Sequence, residues 1–478
     1  MGELLSRRSV RVGCSLASGL LWGLAGNLHP HWWAAWLAPI PVLLAAFHAR
    51  GRESFLLGAL AGAVGTLGTA RYLLALAPPA VFGLVVVLSA LGAGLTVLLA
   101  AAATRRWPAA AAVLAYPTAD ATWDFVQSLT SPHGTFGSLA YSQVSFLPAL
   151  QVAALGGAPA VVFLVDLFGS AVAVAWHHRL RPWWVPAASL AAIAAALGLG
   201  AARSAATESP LAVPVALLSS DRFAGVPHAW NEVWSLYRPA VEAAAAQGAQ
   251  LVVLPEKIAA LSPAEAVTAT EDLVGAARSL HIDLVAGVLV VDGKTGLNRA
   301  LLVRSSGDVL RYDKQHPVPG LESGIVPGSS ALLFEMEQGR GGVAICKDMD
   351  FAALGQDYGR HGASLMLVPA WDFRGRWGED GWLHSRMAVL RAVEGGFTLA
   401  RSARIGRLTV SDRYGRVLAE AESSPGMATV LFQAPLAAGP TPYAMRGDLF
   451  GWGCVGLLLL GITALVLDHR ESRAGGAG

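Results

Sequence analysis

Three side chains in this sequence could together carry out nucleophilic acyl chemistry. Cys346 ends an apolar run, Gly341-Gly342-Val343-Ala344-Ile345. Glu256 follows Leu251-Val252-Val253-Leu254-Pro255, and Lys314 lies within Tyr312-Asp313-Lys314-Gln315-His316. A thiol with a pKa of about 8.5 is little ionised at neutral pH, so it needs a base or a cation beside it. Glu256 would accept the thiol proton, while Lys314 would favour the thiolate and stabilise a tetrahedral oxyanion. The resulting thioester would be discharged by a second nucleophile, which makes the kinetics ping-pong. Taken singly, each residue has a plainer reading: a small buried cysteine, a glutamate in a turn, a solvated lysine.

The elements around these residues must bring them together. From Leu211 onward, strand-like runs at 211–218, 251–254, 282–291, 300–304, 309–312, 341–345, 363–368, 397–402 and 408–411 alternate with helical stretches near 232–247, 263–280 and 383–394. Ser305-Ser306-Gly307-Asp308 reads as a hairpin turn. The pattern predicts a layered α/β domain with a central mixed sheet. Glu256, Lys314 and Cys346 all stand where strands end, and active sites of α/β sheets gather at such ends.

The remainder of the chain has another character. Of 478 residues, 54% are hydrophobic and only 14% charged, against about a quarter charged in soluble chains. Mean hydropathy is +0.49. Apolar runs of spanning length lie near 12–28, 31–48, 53–76, 79–103, 108–127, 156–176, 183–201 and 447–467. Arginines fall beside alternate loops: Arg7, Arg8 and Arg11, then Arg50 and Arg52, Arg105 and Arg106, Arg179 and Arg181, and finally Arg470 and Arg473. By the positive-inside rule the N-terminus is cytoplasmic, seven spans carry the globular segment outward, and an eighth returns the C-terminus. The expected division is 1–205 membrane region, 206–446 catalytic domain, and 447–478 final span and cytoplasmic tail. Trp32, Trp33 and Trp36 read as an interfacial belt. The loop 125–156, with Ser131-Pro132-His133-Gly134-Thr135, either lines a substrate entrance or packs on the domain surface.

Several classes drop out. The net charge of +2 selects no partner, and no basic patch with interleaved aromatics suggests nucleic acid. The three cysteines, Cys14, Cys346 and Cys454, form neither a disulfide framework nor a metal-binding spacing. No cofactor is called for.

Residues 211–435 resemble the nitrilase, or carbon–nitrogen hydrolase, superfamily, whose catalytic Glu, Lys and Cys occur in this order and in these local patterns. The resemblance implies a nitrilase-like α/β sandwich and assigns Glu256, Lys314 and Cys346 as the catalytic set. It adds Glu322, eight positions after Lys314, as the superfamily's second glutamate, and Arg391-Ala392-Val393-Glu394 as a structural element of a late helix. Placed between seven spans and one more, the domain resembles the membrane-embedded apolipoprotein N-acyltransferase family. That implies acyl transfer from a phospholipid to the N-terminal amine of a diacylglyceryl-cysteine lipoprotein, on the outer face of the bacterial cytoplasmic membrane. The pattern departs after the nucleophile, where an aromatic and a glutamate are usual and Lys347-Asp348 stand instead; Asp348 keeps an acid there. Val368-Pro369-Ala370-Trp371-Asp372-Phe373 and the short 322–346 interval also differ, so the shell around substrate is altered. The alternatives are a membrane-anchored amidase, in which water resolves the acyl-enzyme, and a lipid- or partner-binding chain without turnover. The spans disfavour the first, and the complete trio disfavours the second.

Overall fold

The computed structural model describes residues 5–207, 209–375, 378–437 and 439–474. The central sheet expected from the sequence is two sheets packed face to face. One runs in the order Met427–Pro435, Ala212–Ser220, Leu251–Val253, Asp283–Asp292, Thr295–Val303, Val309–Asp313. The other runs Val417–Glu422, Arg407–Ser411, Thr398–Arg404, Leu365–Trp371, Gly339–Val343, Leu332–Met336. Each has three parallel strands at its centre and antiparallel strands at its edges. Val215, Leu217, Val253 and Val285 of the first sheet meet Val343, Leu365, Leu367 and Ala400 of the second in one buried core. Strands buried on both faces read as continuous apolar runs, which is why their pattern shows no alternation.

Helices cover the outer faces. Trp230–Ala246 and Pro263–Leu280 pack on the first sheet, and Ala352–Arg360 and Gly381–Gly395 on the second. Pro263–Leu280 starts where the sequence says it should, because Ser262 and Glu265 form a reciprocal capping box and Pro263 occupies the first turn. It ends at His281 in a left-handed conformation.

All eight apolar segments are helical, but not all as single rods. Among the described residues, four helices are long and apolar enough to cross a membrane: Pro79–Arg106, Ala153–His177, Trp184–Ser204 and Leu449–Asp468. The third segment bends by 65° between Gly51–Gly68 and Ala70–Leu76. Gly68 lies where a Cβ would meet the Gly23 carbonyl at 2.3 Å, and past the bend Tyr72 donates to Asp380 of the sandwich at 2.5 Å. The second segment is broken into Trp32–Leu37 and Pro39–Phe47, since Pro39 has no N–H to continue the ladder. Trp36 is buried and donates to Gln143 at 2.9 Å; it belongs to the helical core and not to an interfacial belt. The fifth helix runs on to Thr130, so the loop expected over 125–156 is a turn at 131–138 followed by short helical pieces. The last helix is described through Ala474; residues 475–478 lie outside the described residues.

The late-helix motif ties the two regions together. Arg391 and Glu394 are fully buried and face one another at 3.1 Å, and Glu394 Oε1 accepts the Ala158 N–H at 2.8 Å, beside the kink at Gly156 and Gly157 in Ala153–His177. Replacing Glu394 by Ala strands the Arg391 guanidinium and should cost about 3–5 kcal/mol of stability. Thermal unfolding in detergent should show that loss, and the double replacement Arg391→Met with Glu394→Met should recover much of it.

Candidate active site

The strand Leu251–Val253 delivers Glu256 after Pro255 breaks the ladder. Gly287 on the neighbouring strand makes room for that turn, since a Cβ there would lie 2.6 Å from the Glu256 Cα. The Glu256 N–H donates to the Ala370 carbonyl of the opposite sheet at 3.3 Å. Lys314 follows Val309–Asp313 at the sheet edge, and Cys346 follows Gly339–Val343 through Ala344 and Ile345. Cys346 adopts a left-handed backbone, φ 46°, rare for a side chain with a Cβ and a mark of a turn held by its surroundings.

Lys314 is the hub. Its ammonium, 1% exposed, donates to Glu256 Oε1 and to Glu322 Oε2, both at 2.9 Å. Burial opposes its charge, but Glu256, Cys346 and Glu322 outweigh burial and hold it above the ordinary lysine value. Glu322 is held down at about 2: burial works against its charge, and Lys314 and Lys257 overcome it. It also accepts from Val318 N–H at 2.7 Å, Lys257 at 2.5 Å and Asn298 at 2.9 Å. Glu256 Oε1 also accepts from Asn298 at 2.6 Å, which leaves Oε2 outside these bonds.

The structure thus gathers Glu256, Lys314 and Glu322 in direct contact, and places the Cys346 charge among those acting on Lys314. The Cys346 thiol donates to the Trp371 carbonyl at 3.5 Å. Burial, then the Glu256 charge, push this thiol well above its usual value, and Lys314 and Arg401 pull the other way. On balance these neighbours favour the thiol over the thiolate. Asp348 is buried and hydrogen-bonded at both oxygens, and His316 Nδ1 lies 3.1 Å from Oδ1. One oxygen accepts from Tyr312 at 2.8 Å and Ile345 N–H at 3.2 Å; the other accepts from the Gln315 and His316 N–H groups at 3.1 and 2.9 Å. It locks the nucleophile turn to the segment that carries Lys314.

Sequence reasoning missed four contributors. Asn298 bridges Glu256 and Glu322, donating to the latter at 2.9 Å; its signal was an amide inside the apolar run Leu297–Val303. Lys257 had only its adjacency to Glu256. Arg401 forks onto Asp372, and His384 lies 3.5 Å from both Asp372 and Asp380. Asp372, Asp380 and His384 bring ligand-type atoms within 4.8 Å of one another. Burial disfavours the His384 charge, yet Asp380 and Asp372 hold it up at about 9. Arg401 and the raised-pKa His384 are thus the basic groups paired with these two carboxylates.

Residues 224–436, which form the double-sheet sandwich and carry Glu256, Lys314 and Cys346, match the carbon–nitrogen hydrolase family model. Residues 18–171 match the model of the apolipoprotein N-acyltransferase N-terminal domain, so the two matches fall on the helical and the globular parts in turn. An apolipoprotein N-acyltransferase of Geobacter metallireducens is 28% identical over 363 residues, 67% of this chain and 68% of the relative. A deaminated glutathione amidase of Synechocystis sp. is 29% identical over 221 residues, 39% of this chain and 81% of the relative. The crystal structure of an amidase from Nesterenkonia sp. aligns at TM-score 0.42 and 23% identity, over 48% of this chain and 94% of that one.

Since Glu256 raises the thiol's pKa, removing its charge should lower it. The pH midpoint of Cys346 alkylation, followed on the isolated peptide by mass, should move down in Glu256→Gln even though acyl chemistry is lost. An upward movement would show that Glu256 does not act on the thiol as a negative neighbour.

Proposed function

We propose that this chain transfers a fatty acyl group from a phospholipid, through a thioester on Cys346, to the N-terminal amine of a diacylglyceryl-modified lipoprotein. The observation that carries this reading is the seat of the nucleophile turn against the membrane region. Thr135 donates its N–H and hydroxyl to the Asp350 carbonyl at 2.9 and 2.7 Å, and Tyr72 of the bent segment reaches Asp380. A soluble amide would need no such junction. The similarity to the glutathione amidase accounts for the globular part alone, so the amidase reading is not favoured.

The steps follow from the geometry. Glu256 Oε2 takes the Cys346 proton as sulfur attacks the ester carbonyl. The Lys314 ammonium, kept charged by Glu256 and Glu322, stabilises the oxyanion. Collapse expels the lysophospholipid alkoxide, which recovers the proton from Glu256. The acceptor amine then attacks the thioester, Glu256 takes its proton, and the thiol is regenerated. Water is a poor competitor where the site is enclosed by lipid and protein. We place the sandwich on the outer face of a bacterial cytoplasmic membrane, with eight spans and a cytoplasmic C-terminus. The alternating arginine-bearing loops support this orientation.

Intact-mass analysis of the detergent-purified protein incubated with phospholipid should show a fatty-acyl adduct that hydroxylamine removes. The adduct should be absent from Cys346→Ala, and a diacylglyceryl-cysteine peptide should discharge it. Retention in Cys346→Ala would remove the nucleophile assignment. A reporter fused at the C-terminus should score as cytoplasmic; an outward score would break the span count.

A further inference from the structure

We propose that Lys347 and His133 form a subsite for the phosphate diester of the phospholipid donor, one residue from the nucleophile. This rests on the acyl-transfer reading and names what holds the donor in place.

Lys347 is a buried amine whose pKa burial lowers and whose ion pair with Asp350 is loose. Its side chain is 6% exposed, yet its nearest carboxylate, Asp350, is 3.8 Å away, beyond hydrogen-bond range. Lys314 has two carboxylates at 2.9 Å. The neighbouring Asp348 has both oxygens committed elsewhere. Around the Lys347 ammonium lie the His133 Nδ1 at 3.4 Å and the face of Phe351 at 5.2 Å. Enclosing an ammonium costs free energy that a bound anion would offset. An ammonium has three N–H donors, and His133 uses one.

His133 is placed by the backbone. Gly134, at φ +57°, presses against the Asp350 carbonyl, where a Cβ would lie at 2.5 Å. Thr135 clamps the same carbonyl with two donors. The turn 131–138 is therefore fixed onto the turn that follows Cys346. Burial and the Lys347 charge push His133 down to about 4, so the ring is neutral. Its Nδ1 accepts from Lys347, which leaves Nε2–H as a second donor on an exposed side chain. Two donors beside the reacting thiol suit one anion.

The donor supplies that anion. A glycerophospholipid carries its phosphate diester on the glycerol that bears the reacting ester, so an anion arrives with the carbonyl. The acceptor presents an amine, which Lys347 repels when protonated. A lysine at this position therefore favours an anionic donor over a neutral one.

The full-length protein in detergent should be charged with phosphatidylethanolamine, phosphatidylglycerol or diacylglycerol of the same chains, and the rate of hydroxylamine-sensitive adduct on Cys346 compared. Lys347→Met should lower the ratio of phospholipid rate to diacylglycerol rate by about tenfold or more, as expected for losing a charged hydrogen bond. Lys347→Arg should retain the ratio, and His133→Ala should lower it by less. His133→Ala decides the matter if Lys347→Met does not fold. Millimolar inorganic phosphate should leave the wild-type ratio intact; its collapse would mark a free-anion site and overturn the assignment to the donor. An adduct that forms with an unchanged ratio in Lys347→Met removes the subsite alone. No adduct on wild type removes the acyl-transfer reading and the subsite with it.

Discussion

A buried ammonium must be surrounded by negative charge, and Lys314 is where this chain meets that demand. Glu256 and Glu322 supply it from either side, and Asn298 and Lys257 fix those carboxylates in turn. Breaking such a set strands a charge in a medium that cannot solvate it. The end of the central strand Leu251–Val253 is thereby tied to the end of the edge strand Val309–Asp313. The Glu256 N–H and the Cys346 thiol then reach consecutive carbonyls, Ala370 and Trp371, on one strand of the second sheet. The site is a seam between two sheets, and neither sheet could build it alone.

The same seam explains why the thiol rests in its neutral form. Lys314 is nearly neutralised by its own two partners, so it offers Cys346 little net positive charge. Burial and the Glu256 carboxylate then dominate. A thiol held neutral is less open to oxidation, because the thiolate is the reactive form.

The membrane region and the sandwich are joined by buried polar contacts: Glu394 to Ala158, Tyr72 to Asp380, Thr135 to Asp350. Each is costly to leave unmade away from water. The last two reach Asp380, beside His384, and the turn that follows Cys346. The bend in the third apolar segment has a place in this scheme, since a straight rod would carry Tyr72 past Asp380.

Local chemistry made much of this legible in advance. Leu251–Val253, Pro255 and Glu256 announce a strand that stops at a carboxylate, and Ser262 with Glu265 announces a helix start; both depend only on neighbours in the chain. Apolar runs separated by arginines mark helices in the same way. Tertiary packing decided the rest. One mixed sheet and two facing sheets share the same strand signals, and only the burial of both faces selects the second. The contact of Asn298 with Glu256 spans 42 residues, and that of Lys347 with His133 spans 214. A breaker such as Pro39 is visible, but the bend that brings Tyr72 to Asp380 arises from helix against helix at Gly68 and Gly23. Sequence by itself determined which groups could do chemistry and where strands and helices begin. Which charges meet in the low-dielectric interior, and so which protons are held, was decided by the packing of the two sheets against each other and against the helices.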